Sequence, residues 1–419
     1  MDKRTGQTVC QWILGTVTVI TASSPRAFAE EAEASLVPPS QLAEQLAGYI
    51  QSVQHPSTGL PVSFFHSVDH ALDDVAFTYD VAVAGLALAH RGAWPQAKRA
   101  LATYLQMPLP SVRAFDFNTA YHVGNRRPTL EYQLHGGPVF WMAIALLRYA
   151  QAAGDRAALQ KGIDLLEWAR TQLPHQDGGV VMSHRDLFST VMSVENNWVY
   201  YAALRIADDV LPDGAPREVF RQERRGVRRW LDAHRTQRGA GDPVKALDVY
   251  THALLVGPEA HAEDGPFADR RAQQAWATQH VRELEALFQV PGTALYDYTD
   301  EAEARAVGRE RTAWLEGTEQ VSVAYQTWAD WFERQGERTF GKDLRMKAAL
   351  AHKQVLRYAL PASTGLAVPN TNAILTFRTF QDGWYARPRS EPALNGTNWT
   401  YLAEAAYNPF VAELPRRAR

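Results

Sequence analysis

The chain has 419 residues, of which 46% are hydrophobic and 21% are charged, and its formal net charge is −3. These fractions are those of a globular protein, and they exclude disorder, collagen-like repeats and a coiled coil as descriptions of the whole chain. Because no basic excess is present to neutralise phosphates, we expect no nucleic-acid partner.

The first 29 residues have the pattern of a secretory signal peptide. Basic residues stand near the start, residues 9–22 are mostly apolar, and Ala27 and Ala29 are small residues before a cleavage point. We therefore expect an exported protein, periplasmic or extracellular, with a mature chain from residue 30 and no membrane span; an uncleaved anchor is the alternative. The only cysteine, Cys10, lies in this segment, so a disulfide framework and a thiolate metal site are excluded.

From about residue 39 onwards, apolar positions recur with helical spacing, and glycine and proline fall mostly between the periodic segments. Twelve helices are predicted, in pairs. An amphipathic, charged set is expected at about 39–54, 94–106, 156–172, 217–235, 269–288 and 341–358. A more apolar set is expected at about 77–91, 138–153, 195–208, 245–256, 314–332 and 397–407.

The two sets predict a layered architecture. A helix that is apolar on most sides must be buried on most sides, and an amphipathic partner can shield it from water. The arginine-rich face at Arg224, Arg225, Arg228 and Arg229 is accordingly expected to be solvated. Six such pairs are typical of a decayed internal repeat. The sequence therefore predicts one all-α domain over residues 30–419, an (α/α)6 toroid with six inner and six outer helices.

Short motifs stand before or at the predicted starts of four apolar helices, and one follows the last apolar helix. They are Gly59-Leu60-Pro61 before Thr78-Tyr79-Asp80, Gly137-Pro138 before Trp141, Ser193-Val194-Glu195-Asn196-Asn197, Trp314-Leu315-Glu316-Gly317-Thr318-Glu319-Gln320, and Asn408-Pro409-Phe410. With the helix pattern, they resemble the six-hairpin glycosidase superfamily. The resemblance implies the toroid, a carbohydrate substrate, and a substrate cleft lined by the Ser-x-Glu-x-Asn segment. The same toroid also serves polysaccharide lyases, sugar epimerases and prenyl-binding proteins, so the fold alone leaves the reaction open.

In such a toroid the N-termini of the inner helices open into one funnel, where unpaired N–H groups give a positive partial charge. Carboxylates stand at four of these starts: Asp80 in the first pair, Glu195 in the third, Asp248 in the fourth, and Glu316 with Glu319 in the fifth. Each is a candidate for proton transfer, and a helix cap or dipole partner is the alternative for each.

Glycoside hydrolysis needs one protonated carboxyl group and one ionised carboxylate, about 6.5–9.5 Å apart in inverting enzymes. Residues on different inner helices can span such a gap. We therefore expect the catalytic pair to come from Asp80, Glu195 and Glu319, with the acid and base roles left open. Gly317 at a helix start also indicates that some group approaches the backbone closely there.

Sugar rings have apolar faces, so aromatic residues near the funnel are expected to bind them, although core packing is the alternative for any one of them. The predicted substrate-binding residues are Tyr79, Asp116, Tyr121, Trp141, Asn197, Trp198, Trp314 and Glu316.

We expect no metal and no cofactor. The histidines show no metal-ligand spacing, and His252 is typical of a satisfied core histidine. No phosphate-binding glycine loop or nucleophile elbow is present. A calcium ion at Asp73 and Asp74 is the alternative to a solvated loop.

Together these features predict an exported glycoside hydrolase that acts on a poly- or oligosaccharide with inversion. A lyase or sugar epimerase is the alternative within enzymes, and Tyr79 or His252 would then be essential. A non-catalytic carbohydrate-binding toroid in exopolysaccharide assembly is the alternative outside enzymes, and its carboxylates would be bonded in structural pairs. The oligomeric state stays open.

Overall fold

Helices make up most of the regular structure. The computed structural model describes residues 39–65, 72–110, 117–129, 134–183, 189–242, 244–373, 378–379 and 385–417. The predicted signal peptide and Asp116 lie outside these residues. In chain order the helices are α1 (Pro39–Ser52), α2 (Thr78–His90), α3 (Trp94–Gln106), α4 (Gly136–Ala153), α5 (Arg156–Gln172), α6 (Val194–Val210), α7 (Ala215–His234), α8 (Leu247–Leu255), α9 (Gly257–Asp264), α10 (Arg270–Phe288), α11 (Glu301–Ala306), α12 (Leu315–Arg334), α13 (Arg338–Leu356) and α14 (Leu394–Glu404).

Six of these helices form a closed inner ring. Neighbours in the ring contact each other in the order α2, α4, α6, α8, α12, α14 and back to α2. The outer helices α3, α5, α7, α10 and α13 pack on α2, α4, α6, α8 and α12, and α1 packs on α14. The predicted (α/α)6 toroid is therefore confirmed, and the short helices α9 and α11 are additions to it.

The burial of the two helix sets follows from their composition. Helix α4 is buried over most of its length, because it touches ring neighbours on two sides and α5 on a third. Helix α3 buries a single stripe that contains Ala97, Ala100, Leu101 and Tyr104, at the spacing of one helical face. None of the described helices is long and apolar enough to cross a membrane.

Short antiparallel strands occupy the loops. They are β1 (Val75–Phe77), β2 (Ala120–His122), β3 (His175–Gln176), β4 (Gly179–Val180), β5 (Leu360–Ala362), β6 (Gly365–Pro369), β7 (Arg378–Thr379), β8 (Tyr385–Ala386) and β9 (Pro392–Ala393). The pairs are β1–β2, β3–β4, β5–β6, β6–β9 and β7–β8. Strands β1 and β9 run directly into α2 and α14, so they set where these inner helices begin.

The arginine-rich face of α7 is only partly solvated. Arg224 and Arg228 are buried, whereas the other two arginines of that face are exposed. Arg224 forms ion pairs with Asp208 at 3.0 Å and Asp264 at 2.9 Å, and Arg228 pairs with Asp232 at 3.1 Å. The prediction of a fully solvated face is therefore wrong for these two residues, because carboxylates of α6, α7 and α9 neutralise them.

Candidate active site

A cavity of about 450 Å³ opens at the N-terminal ends of the inner helices. Four carboxyl groups line it: Asp80, Glu195, Asp248 and Glu316, from α2, α6, α8 and α12. Each lies in the first turn of its helix. The ring thus brings together residues that are more than fifty positions apart in sequence.

Burial raises the pKa of all four carboxyl groups, since a low-dielectric environment disfavours the charged form. The pKa of Asp80 rises to about 7, against the opposing hydrogen bond from Ser63. The pKa of Asp248 rises to about 6, although a hydrogen bond from the N–H of Val249 favours its charged form. The pKa of Glu316 rises to about 8. The pKa of Glu195 rises well above its usual value through burial and then through the charges of Asp248 and Glu316.

Glu316 is held by a chain of hydrogen bonds. The Tyr79 hydroxyl donates to Glu316 Oε1 at 2.5 Å, and Gln320 Nε2 donates to the same oxygen at 3.3 Å. The indole N–H of Trp399 donates to the Tyr79 oxygen at 2.6 Å. Since the Tyr79 oxygen accepts from Trp399, its own proton is directed to Glu316. Glu316 is thereby kept in the role of an acceptor.

Glu195 is oriented differently. Ser193 caps its helix by accepting from the N–H of Asn196 at 3.2 Å, which sets the first turn of α6 at the cavity. The Glu195 side chain is partly exposed and lines the cavity. It makes no hydrogen bond to any other described residue. Its carboxyl group is therefore free to bond to a ligand.

Three buried amides add unpaired polar atoms to the wall. Asn196 Nδ2, Gln320 Oε1 and Asn370 Oδ1 have no hydrogen-bond partner among the described residues. All three side chains are at most 4% exposed. Because an unpaired buried polar group costs about 1–3 kcal/mol, atoms in this state are suited to bind a hydroxylated ligand.

Aromatic rings form the rest of the wall. Tyr79, Trp141 and Trp314 line the cavity, as the sequence predicts. Trp141 packs edge-on against Tyr79 with ring centroids 5.3 Å apart, and Trp314 packs edge-on against Tyr298 at 5.3 Å. The site thus combines flat apolar surfaces with carboxyl and amide groups, which is the composition expected for sugar binding.

Glu319 is not at the cavity, and the expectation that it lines the funnel is wrong. Its side chain is fully buried, and its carboxylate oxygens lie 2.9 and 3.1 Å from His352 Nδ1 on α13. Burial alone would lower the pKa of His352, but the charges and hydrogen bonds of Glu319 and Glu404 outweigh it and raise the pKa to about 10. Glu319 therefore belongs to a structural ion pair between α12 and α13.

The structure also places Asn197, Trp198 and Tyr121 in the core, away from the cavity. The Asn197 amide bonds to both backbone groups of Val180 at 2.9 Å, which ties β4 to α6. Trp198 lies under the guanidinium group of Arg228, 5.4 Å from the ring centre. Asn197 follows Glu195 by two positions and so projects from the opposite face of the helix, whereas Trp198, three positions on, lies about one turn further from the N-terminal end that opens to the cavity.

Two titratable residues of the cavity received little weight in the sequence analysis. Asp248 and His252 lie one helical turn apart on α8, and both line the cavity. Neither ring nitrogen of His252 has a close hydrogen-bond partner among the described residues, and the backbone of Asp248, one turn earlier, opposes the effect of burial on its pKa. Burial lowers the pKa of His252 to about 3. Trp399 was not singled out from the sequence; it is not part of the described cavity wall and acts on the site through Tyr79.

No cluster of three histidine, cysteine or acidic residues that could hold a metal ion occurs in the described part of the chain. At the alternative calcium position, the Asp74 carboxylate lies 2.9 Å from His122 Nδ1.

Gly317 has no side chain, and this allows the ring of Trp314, which is part of the cavity wall, to pack against its backbone. A Cβ atom at this position would lie 2.2 Å from the ring of Trp314, so the group that approaches the backbone is the neighbouring indole. We expect Gly317→Ala to destabilise the protein by about 1–3 kcal/mol in urea unfolding, because the ring must shift. Gly226→Ala, in α7, is the matched control: its Cβ would meet only ordinary contacts from 3.7 Å. That variant should be as stable as the wild type or more stable, and equal losses in both would contradict this explanation.

The raised pKa of Asp80 predicts a pH-dependent stability difference. The folded chain holds this proton up to about pH 7, whereas the unfolded chain loses it near pH 4, so the Asp80 contribution to stability falls as pH rises between these values. Asp80→Asn removes the titration. Relative to the wild type, its free energy of unfolding should therefore improve by roughly 2–4 kcal/mol between pH 5 and pH 8. Urea unfolding at both pH values tests this, and a constant difference would contradict it.

Comparisons with known proteins give the fold. No family model and no curated protein matches the chain. Among solved structures, a D-mannose isomerase matches with a TM-score of 0.62 and 10% identity over 88% of this chain and 96% of that one. The cellobiose 2-epimerase from Spirochaeta thermophila matches with a TM-score of 0.60 and 13% identity over 87% and 95%. A glycosidase matches with a TM-score of 0.56 and 11% identity over 88% and 97%. The resemblance to the six-hairpin toroid is confirmed at the level of fold.

Proposed function

We propose that this protein is a carbohydrate-active enzyme that hydrolyses glycosidic bonds of a poly- or oligosaccharide with inversion. The observation that carries the proposal is the group of four carboxyl groups, on four inner helices, that line one cavity with aromatic walls. Among the described residues, none of the four carboxylates forms an ion pair with a lysine, arginine or histidine, unlike Glu319. This contrast favours an enzyme over a binding toroid whose carboxylates are bonded away.

Glu195 is the proposed general acid and Glu316 the proposed general base. The charge of Glu316 helps to raise the pKa of Glu195, whereas hydrogen bonds from Tyr79 and Trp314 oppose the effect of burial on Glu316 and limit its pKa to about 8. When the two groups share one proton, it therefore resides on Glu195. Two carboxyl groups whose environments separate their pKa values in this way suit acid and base roles.

The positions of the two helices agree with inversion. Helices α6 and α12 are separated by α8 in the ring, and each contacts α8. Touching helices have axes about 8–10 Å apart, so the axes of α6 and α12, with α8 between them, are further apart than that. Two carboxyl groups whose helices have a third helix between them can be further apart, which leaves room for the attacking water between the carboxylate and the sugar.

The solved structures of similar fold support a sugar substrate. They include a glycosidase in its wild-type form, variants of it at two glutamates and one tyrosine, and one complex with glucose. They also include sugar epimerases and a mannose isomerase, so the reaction class needs its own test.

An epimerase or isomerase is the second candidate, and His252 is the observation that favours it. Its imidazole lines the cavity, and burial keeps it neutral, so it could accept a proton from a sugar carbon. Such a reaction leaves the number of reducing ends unchanged and exchanges a carbon-bound hydrogen with solvent.

The two candidates are separated by one assay. Purified protein is incubated in D₂O with neutral, amino and acidic oligosaccharides, and both new reducing ends and deuterium at sugar carbons are measured. Hydrolysis predicts new reducing ends without deuterium incorporation. Deuterium incorporation without new reducing ends would overturn the hydrolase proposal in favour of an epimerase or isomerase, and His252→Ala would then abolish the exchange.

The signal-like segment supports a second proposal, that the protein is exported and cleaved after Ala29. Mass spectrometry of protein from the periplasm or medium should show an N-terminus at Glu30. An intact Met1 on membrane-bound protein would contradict cleavage.

A further inference from the structure

The cavity has more carboxyl groups than inverting hydrolysis uses. The reaction needs two, so Asp80 and Asp248 remain after the roles given to Glu195 and Glu316. Both remaining side chains are at most 7% exposed. Asp80 accepts a hydrogen bond from Ser63, and Asp248 accepts one from the N–H of Val249 at 2.8 Å. These partners are neutral, so the negative charge that Asp248 carries above about pH 6 and Asp80 above about pH 7 is balanced, among the described residues, only by the more distant charge of Arg238 acting on Asp248.

The described wall contains no lysine or arginine. Its two histidines, His135 and His252, are neutral at pH 7, because burial lowers their pKa values to about 4 and about 3. The arginines that lie near the wall already have carboxylate partners. Arg238 bonds to Asp242 at 2.7 Å, and Arg387 is fully buried in an ion pair with Glu391.

Unpaired polar atoms show that the cavity is built for a ligand. The buried amides of Asn196, Gln320 and Asn370 face it without partners among the described residues. Two of the three unpaired atoms are oxygens, which accept hydrogen bonds from hydroxyl or ammonium groups. The surplus carboxylates add further acceptors.

We propose that this cavity selects its sugar by charge: it favours a sugar with a free amino group, accepts an uncharged sugar more weakly, and rejects a uronic acid. An ammonium group would supply the positive charge that the described wall lacks. A uronate would instead lie beside like charges, which opposes its binding. The inference rests on the proposed function and names the class of sugar on which it acts.

The test measures binding, so it does not depend on catalysis. Glucosamine, N-acetylglucosamine, glucose and glucuronic acid are titrated into the full-length protein near pH 7, with ligand-observed NMR as the readout. We expect glucosamine to bind at least about tenfold more tightly than glucose, and glucose at least about tenfold more tightly than glucuronic acid. N-acetylglucosamine should lose the advantage of glucosamine, since it keeps the nitrogen without the charge. A flat or reversed ranking overturns the inference.

Two variants locate the cause of the ranking. Asp248→Asn removes one surplus charge at constant shape and should reduce the penalty on glucuronic acid. Glu319→Gln removes a buried charge that faces His352, outside the cavity, and should leave the ranking unchanged. The ranking should also persist at about 1 M salt, which screens exposed charges much more than buried ones. A ranking that disappears in salt, or that changes equally in both variants, would place its cause outside the cavity and overturn the inference.

The penalty on glucuronic acid should also increase with pH. Asp248, Asp80 and Glu316 lose their protons near pH 6, 7 and 8, while glucuronic acid stays ionised throughout. The glucose-to-glucuronate affinity ratio should therefore rise between pH 5 and pH 8, and a constant ratio would overturn the inference. The titratable groups that face this space are Tyr79 and Asp80 from α2, His135 before α4, Glu195 from α6, Asp248 and His252 from α8, Tyr298 before α12, and Glu316 from α12.

The failures of the two proposals are distinguishable. Hydrolysis of neutral sugars with a flat binding ranking would overturn the charge selectivity alone. The expected ranking without any hydrolysis would overturn the proposed function alone. No binding by any of the four sugars would overturn the charge selectivity, whereas the hydrolase proposal is decided by the release of new reducing ends from oligosaccharides.

Discussion

Glu316→Gln is expected to lower kcat by about 10²- to 10⁴-fold, which corresponds to roughly 3–5 kcal/mol of barrier, while the melting temperature changes little. Glutamine keeps an oxygen that can accept from the Tyr79 hydroxyl, so the hydrogen-bonded chain through Trp399 is preserved. It cannot take a proton from water. Steady-state kinetics on the best substrate, together with calorimetry, measures both effects.

Glu319→Gln is the matched control, because it makes the same substitution one turn further along α12. It should retain activity but lose stability, by about 3 kcal/mol, since His352 keeps only Glu404 as an acidic partner. The raised pKa of His352 means that the stability from this pair is fully present below about pH 6.5 and is lost as pH rises towards 10. The comparison is therefore best made near pH 6. Normal turnover by Glu316→Gln, or a loss of activity in both variants alike, would contradict the assignment.

Glu195→Gln is expected to show the leaving-group dependence of a missing general acid. Natural glycosides, whose leaving oxygen needs a proton, should be hydrolysed about 10²- to 10⁴-fold more slowly. Aryl glycosides with strongly acidic phenols should lose at most about tenfold, because their leaving groups depart without protonation. Parallel kinetics on an alkyl and a dinitrophenyl glycoside of the same sugar measures the difference. An equal loss on both would exclude Glu195 as the acid and leave it a binding residue.

The fold could be predicted because helical periodicity extends through the chain. The amphipathic and apolar sets differ in how many of their faces are buried, and α3 and α4 illustrate the two patterns. A ring of six pairs follows from the number of repeats, without knowledge of any single contact. The start of the sixth inner helix was predicted at about residue 397, whereas α14 begins three residues earlier, at Leu394.

From the sequence, the residues of the candidate site could be placed only to within one helical turn. Sequence spacing placed both Glu316 and Glu319 near the funnel, since residues three apart project within about 60° of each other. Which of them faces the cavity depends on His352, which draws Glu319 towards α13, and on Tyr79, which binds Glu316. Both partners are distant in sequence, and Tyr79 lies 237 residues from Glu316. No local pattern carries such information.

The same limit applies to Asn197 and Trp198. Their proximity to Glu195 in sequence suggested a shared surface, but at about 100° per residue Asn197 projects from the opposite face of the helix, and Trp198 lies about one turn further from the cavity end. Asn197 instead binds the strand that precedes the helix. Asp248 is a case in which local position was enough: it lies in the first turn of α8, and this places it at the cavity.

Proton NMR of the first product formed tests the central claim most directly. Two carboxyl groups across the funnel, one acid and one base, predict hydrolysis in one displacement by water. The sugar released at the start of the reaction should therefore have the anomeric configuration opposite to that of the bond cleaved, and Glu195→Gln and Glu316→Gln should release it far more slowly. A first product with the original configuration would require a covalent intermediate, and it would contradict the proposed roles of Glu195 and Glu316.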